Sequence, residues 1–188
     1  MSSRDDDIDD ESWDVRETFA YFGRAYYMAS VLEVGLAHSL MFGEFMLREA
    51  EKIKTTRGKG WDQARYQADF DAYMAEQFGL TMGAVIKRAM ALPYFTDELK
   101  QRIEAARKRR NFLAHDYWRE ASVRFMTPEG RQGMRDELNA DAETFGKLDR
   151  DIDSALKGAR IAVGARDELL QALYDKMLEQ IKAGLLKE

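Results

Sequence analysis

Residues 14–54 read DVRETFAYFGRAYYMASVLEVGLAHSLMFGEFMLREAEKIK, with no proline and many strong helix formers. Proline breaks helix interiors, and its absence over such a stretch predicts one long helix. On that helix Phe19, Phe22, Tyr26, Leu32, Leu36, Leu40 and Leu47 fall along one side, and Met28, Val31, Phe42, Phe45 and Met46 widen it. A helix that is apolar nearly all round has to be covered on several sides. A small bundle covers one side, and a second copy of the chain could cover another, so the pattern predicts a homodimer. Glu33, His38 and Glu44 interrupt the apolar run 25–47. A membrane span needs about 20 apolar residues with few or no charges, so this reading excludes one.

Outward from this helix the chain is punctuated by helix signals. Residues 1–13 read as a disordered acidic tail; DDDIDDE lacks the glycine and spacing of a calcium loop. With no apolar h-region there, no signal peptide is expected, and the reading is cytoplasmic. Thr55–Gly60 reads as a loop. A second helix is expected from Trp61 to about Phe78, and a short one capped by Thr81 over Met82–Ala91 that ends at Pro93. Thr96 caps the next helix, or pair of helices with a bend between them, ending near Phe125. Thr127-Pro128 is a cap followed by proline at the first helical position, and 128–160 carries the stripe Leu138, Ala142, Phe145, Leu148, Ile152, Leu156. A last helix, about 166–186, shows Leu170, Leu173, Met177, Ile181 and Leu185. The expected fold is all-α: a helical core over 14–127 with a C-terminal helical pair, 128–188, packed on it.

The 188 residues suit one domain, long enough to bury about two-thirds of its unfolded surface. The chain has no cysteine, which excludes disulfides and thiolate metal sites. The net charge of −5 is uneven. Residues 100–124 hold eight Lys/Arg and three acids, a window of +5 that leaves −10 for the rest. A basic patch on an acidic protein suits phosphate binding, although a solvated helix face has the same composition.

Inside that window lies Arg107-Lys108-Arg109-Arg110-Asn111-Phe112-Leu113-Ala114-His115-Asp116-Tyr117-Trp118. Histidine exchanges protons near neutrality, and the arginine fork matches phosphate oxygens. With asparagine to orient an imidazole or phosphate, the set suits RNA cleavage without a metal: the 2′-OH attacks, His115 moves protons and Arg110 stabilises the added charge. On one ideal helix Asn111 and His115 are neighbours, but five residues turn about 140°. Arg110 and His115 can therefore meet only at a bend or helix start, or across two chains. Arg110 and Tyr117, seven apart, are expected to share a face.

The run Arg110-Asn111-Phe112-Leu113-Ala114-His115 resembles the motif of the HEPN superfamily (higher eukaryotes and prokaryotes nucleotide-binding): Arg, a polar residue, a short spacer, His. The resemblance implies a HEPN-like up-and-down helical bundle and a homodimer whose two motifs line one cleft. It also implies a metal-independent endoribonuclease, without cofactor, that leaves a 2′,3′-cyclic phosphate and a 5′-OH, as in toxins and defence effectors. Arg110, Asn111 and His115 would be catalytic, and Arg107, Lys108, Arg109 and Arg119 would contact RNA. Tyr117 resembles the His-x-Tyr form of HEPN toxins paired with nucleotidyltransferase antitoxins, in which that tyrosine can be adenylylated. Other readings stand beside these. His38 reads as a core or interface histidine and His115 as a hydrogen-bonded one, while Tyr117 and Trp118 read as anchors between helices. The whole chain also reads as a non-catalytic HEPN-like protein that binds a nucleotide or a protein partner.

Overall fold

The computed structural model describes residues 9–56 and 59–184, and among them there is no strand. Nine elements follow one another. They are α1 (Asp10–Leu40), a π-helical segment (Met41–Met46), α2 (Leu47–Thr56), α3 (Gln63–Gly79), α4 (Met82–Ala89), α5 (Asp97–His115), α6 (Tyr117–Phe125), α7 (Pro128–Ala162) and α8 (Asp167–Lys182). The predicted caps are in place. The hydroxyls of Thr81, Thr96 and Thr127 accept from the backbone N–H groups of Ala84, Leu99 and Gly130. Other boundaries shift. Helix α1 starts at Asp10, capped by Asp9, because that carboxylate accepts from the Ser12 N–H at 2.8 Å; the acidic tail expected over 1–13 otherwise lies in residues 1–8, outside the described set. Helix α2 reaches Thr56, inside the expected Thr55–Gly60 loop, and α3 begins at Gln63 behind an Asp62 cap.

The long helices α1 and α7 form the centre of the bundle. Their contacts rise together along both helices: Asp14 with Arg131 and Arg135, Arg24 with Asn139, and Gly35 beside Asp149. The two helices are therefore parallel. Their approach is close because the buried face of α1 carries Ala25 and Ala29 before Leu32, Leu36 and Leu40. The predicted stripe differs at its start: Phe19 stays half exposed, and Phe22 and Tyr26 are only partly buried. Near the start of both helices Arg131 and Arg135, almost wholly buried, converge on Asp14. Hydrogen bonds from the two guanidiniums hold its carboxyl below the usual carboxylate range.

Helix α5 runs antiparallel to α7, with Arg102 on Asp151 and Arg109 on Asp141. Helices α3 and α4 close the far end. Phe45, wholly buried in the π-helical segment, packs on Tyr66, Phe70 and Tyr73, and Glu44 takes Arg88 at 2.6 Å and the Tyr73 hydroxyl at 3.0 Å. The second apolar side of the first helix is thus covered from within the chain at Phe45, while Met28, Val31, Phe42 and Met46 stay half-buried. Asp10–Thr56 has the length and composition of a membrane span, yet one face of it is the bundle core and its Asp14, Glu33 and Glu44 pair with other helices.

All six stripe residues of α7 are buried in the same core cluster as α1, so position 127 is a turn rather than a boundary between a finished core and an extension. Helix α8 leaves Met177 and Ile181 exposed, and Leu185 lies outside the described residues.

One glycine is decisive for the α6–α7 turn. A Cβ at Gly130 would fall 1.9 Å from the Arg124 carbonyl oxygen, which is backbone and cannot swing aside; Gly133, one turn on, meets nothing within 4 Å. Gly133→Ala should raise stability by about 0.5–1 kcal/mol, the ordinary helix gain. Gly130→Ala should lower it by roughly 1–3 kcal/mol through overpacking. Urea unfolding of the two variants checks the opposite signs.

Candidate functional site

Helix α5 is unbroken from Asp97 to His115, and the chain leaves helical geometry only at Asp116 (φ −123°, ψ −23°). The bend therefore falls after the histidine, so Arg110 and His115 diverge by about 140° around one helix. Within one chain the structure does not bring them together.

His115 is exposed in the last turn of α5 and, among the described residues, has no hydrogen bond or ion pair. Asn111 stands one turn before it. Arg110 turns toward α1, where its Nε lies 2.9 Å from Glu33 Oε1 and its guanidinium sits 5.8 Å from the Tyr26 ring centre. Its Nη1 donates to Asn111 Oδ1 at 3.4 Å, a long contact. The Glu33 contact is close in distance but lacks hydrogen-bond alignment, and that buried oxygen has no other partner. Glu33 and Tyr26 are the site residues that sequence reasoning missed. The signal for Glu33 was present: an acid within a strongly apolar helix face calls for a cationic partner.

Arg109 is not available for RNA. It donates from Nε to Asp141 at 2.8 and 2.9 Å and from Nη2 to Glu137 and Asp141 at 2.6 Å, over the faces of Phe112 and Tyr117. These carboxylates raise its already high pKa against the opposing effect of burial. Arg107 pairs with Glu104 and Arg119 with Asp116, both three residues away in sequence. Arg102 and Arg124 reach Asp151 and Glu137 on α7. Of the four residues expected on RNA, only Lys108 is exposed and, among the described residues, free of an ion pair. Three of the eight cations of the +5 window, Arg102, Arg109 and Arg124, thus form a seam with the acids of α7, and Lys100, Arg107 and Arg119 pair with acids three residues away.

Tyr117 also departs from expectation. It is wholly buried between Phe22, Phe112 and Trp118, and its hydroxyl has no partner. Burial pushes that hydroxyl up to about 12, with the Glu137 charge adding to the rise. Arg109, not Arg110, lies over its ring. A hydroxyl so enclosed is not presented for adenylylation, because a transferase would need in-line access to its oxygen. Tyr117 is thus placed as an anchor between helices, the alternative the sequence also offered for it, and its hydroxyl is not open to a nucleotidyltransferase in this conformation. Among the described residues no cluster of three or more metal-ligating side chains occurs.

Arg109→Ala should cost about 2 kcal/mol of stability, since it leaves Asp141 and Glu137 partly buried and unpaired. Lys108→Ala should stay within about 0.5 kcal/mol of wild type. Paired thermal melts distinguish seam from surface. Comparisons with family models, with curated proteins and with solved structures returned no match to this chain.

Proposed function

We propose that the chain is a metal-independent endoribonuclease of HEPN type, acting as a homodimer in the manner of a toxin or defence effector. The observation that carries this reading is the condition of three side chains. Among the described residues His115 is exposed and unpaired, Asn111 is one turn away, and Arg110 has a single carboxylate partner held without hydrogen-bond alignment. Arg110 is therefore the arginine of its run best able to exchange a carboxylate for a phosphate, whereas Arg109 is committed to two acids. Because Arg110 and His115 diverge on one helix, a joint site needs the histidine of a second chain.

In such a site the ribose 2′-OH attacks phosphorus as His115 takes its proton. Arg110 stabilises the charge gathering on the non-bridging oxygens, and the 5′-oxygen leaves with the proton that the His115 imidazolium gives back, yielding a 2′,3′-cyclic phosphate and a 5′-OH. The ion pairs on Arg102, Arg107, Arg109, Arg119 and Arg124 favour a second reading. With little free positive charge, the chain would bind a nucleotide or protein partner at Arg110 without cleaving RNA.

His115→Ala should lower RNA cleavage by about 10²–10⁴-fold while the fold is kept. Arg110→Lys should rescue poorly, because an ammonium lacks the two-pronged fork. Glu33→Gln should strengthen RNA binding by freeing Arg110. Activity should survive EDTA, and DNA, lacking the 2′-OH, should not be cut. Equal cleavage of a broad RNA panel by wild type and His115→Ala would leave the second reading in place.

A further inference from the structure

On the side of α1 turned away from Glu33 and Arg110, the end of α1 and the π-helical segment run beside the later turns of α7. A Cβ at Gly35 would fall 2.2 Å from Asp149 Oδ1, so the glycine leaves the notch in which that carboxylate lies. His38, one turn on, faces the same carboxylate. His38 is exposed at the rim of this notch and only partly desolvated; that desolvation lowers its imidazole pKa, burial raises that of the carboxyl, and each opposes the other's shift through its charge. Among the described residues neither side chain makes a hydrogen bond or an ion pair. Arg160, 7% exposed, is held by Asp153 and by Asp167 at 3.0 Å, yet its buried Nε–H has no partner.

These groups form the polar wall of a cavity of about 370 Å³ whose other walls include Met41, Phe42 and Leu170. The same three apolar residues also line a second cavity of about 400 Å³, which continues past Met46 to Phe70 and Leu169. Each volume is in the range of small-molecule sites, which combine apolar walls with a few placed polar groups. Met41 and Phe42 open the π-helical segment, and such widened turns recur at functional sites.

The charge of the polar wall selects the ligand. Arg160 is neutralised by two acids, whereas Asp149 has only the imidazole and its exposed neighbour Arg150 acting on it. The unpaired charge facing the cavity is negative. We propose that this double cleft binds an amphipathic amine, its ammonium head between Asp149 and His38 and its apolar body running past Phe42 and Leu170 toward Phe70. An oxygen beside the amine would satisfy the Arg160 Nε–H. The site is independent of the ribonuclease reading.

Calorimetric titration of the full chain at neutral pH with octylammonium, octanol and octanoate, each below its micelle concentration, tests the proposal. Octylammonium should bind saturably and about tenfold or more tighter than octanol, with octanoate weakest. Asp149→Asn should bring the amine down to the alcohol, and His115→Ala should change nothing. Octanol or octanoate binding as tightly as octylammonium, no saturable binding of the amine, or an amine preference that survives in folded Asp149→Asn would overturn it. The wild-type comparison of the three head groups decides the matter without any variant.

Discussion

The parallel pairing of α1 with α7 is the constraint on which the other elements depend. Its closeness comes from small residues, Ala25, Ala29 and Gly35 on one helix and Gly146 on the other, where an added Cβ would come within 3.1 Å of the Met28 side chain. Close approach buries backbone-proximal surface well and leaves few gaps. It also fixes register, because Asp14 can serve Arg131 and Arg135 together at only one offset. Two arginines almost wholly buried are tolerable only with that carboxylate in place. With α1 and α7 set, α5 has one apolar trough for Leu99, Ile103, Ala106 and Leu113.

Charge then decides what α5 can offer. Its basic run faces a helix carrying Glu137, Asp141 and Asp151, so the arginines that point toward α7 are absorbed into inter-helix pairs. Arg110 lies around the helix from these and turns to α1, where Glu33 is its one carboxylate partner among the described residues and the Tyr26 ring lies beside it. His115 sits at the end, where α5 stops at Asp116 and the chain turns into α6. The separation between structural and available cations is thus a matter of helical phase: adjacent residues 100° apart meet different neighbours.

Much of this architecture was legible from local signals. Threonine caps at 81, 96 and 127, the breaks near Gly79 and Pro93, and the 3.6-residue stripe of α7 act within one or two turns, and the chain obeys them. What escaped was long-range. The first helix shows large apolar residues on several faces, and periodicity could not tell that Ala25 and Ala29 would take the closest contact while Phe19 stayed half exposed. The basic window looked like a ligand footprint in part because the counter-charges of Arg109 lie about 30 residues downstream on α7 and that of Arg102 further still. Tyr117 looked reactive from its place in the motif, and only the packing of Phe22 and Trp118 around it shows it enclosed. His38, read as a core or interface histidine, is exposed rather than core and lines a cavity, with Gly35 admitting Asp149 beside it.

The central claim about the site is that Arg110 and His115, divergent on one unbroken helix, act together only across two chains. Mixing Arg110→Ala with His115→Ala protein under conditions that exchange subunits measures this directly. Each variant alone should be inactive, and the mixture should recover RNA cleavage in the heterodimer fraction, where one intact arginine faces one intact histidine. A heterodimer without recovered cleavage, or wild-type cleavage that elutes with the monomer, would contradict it.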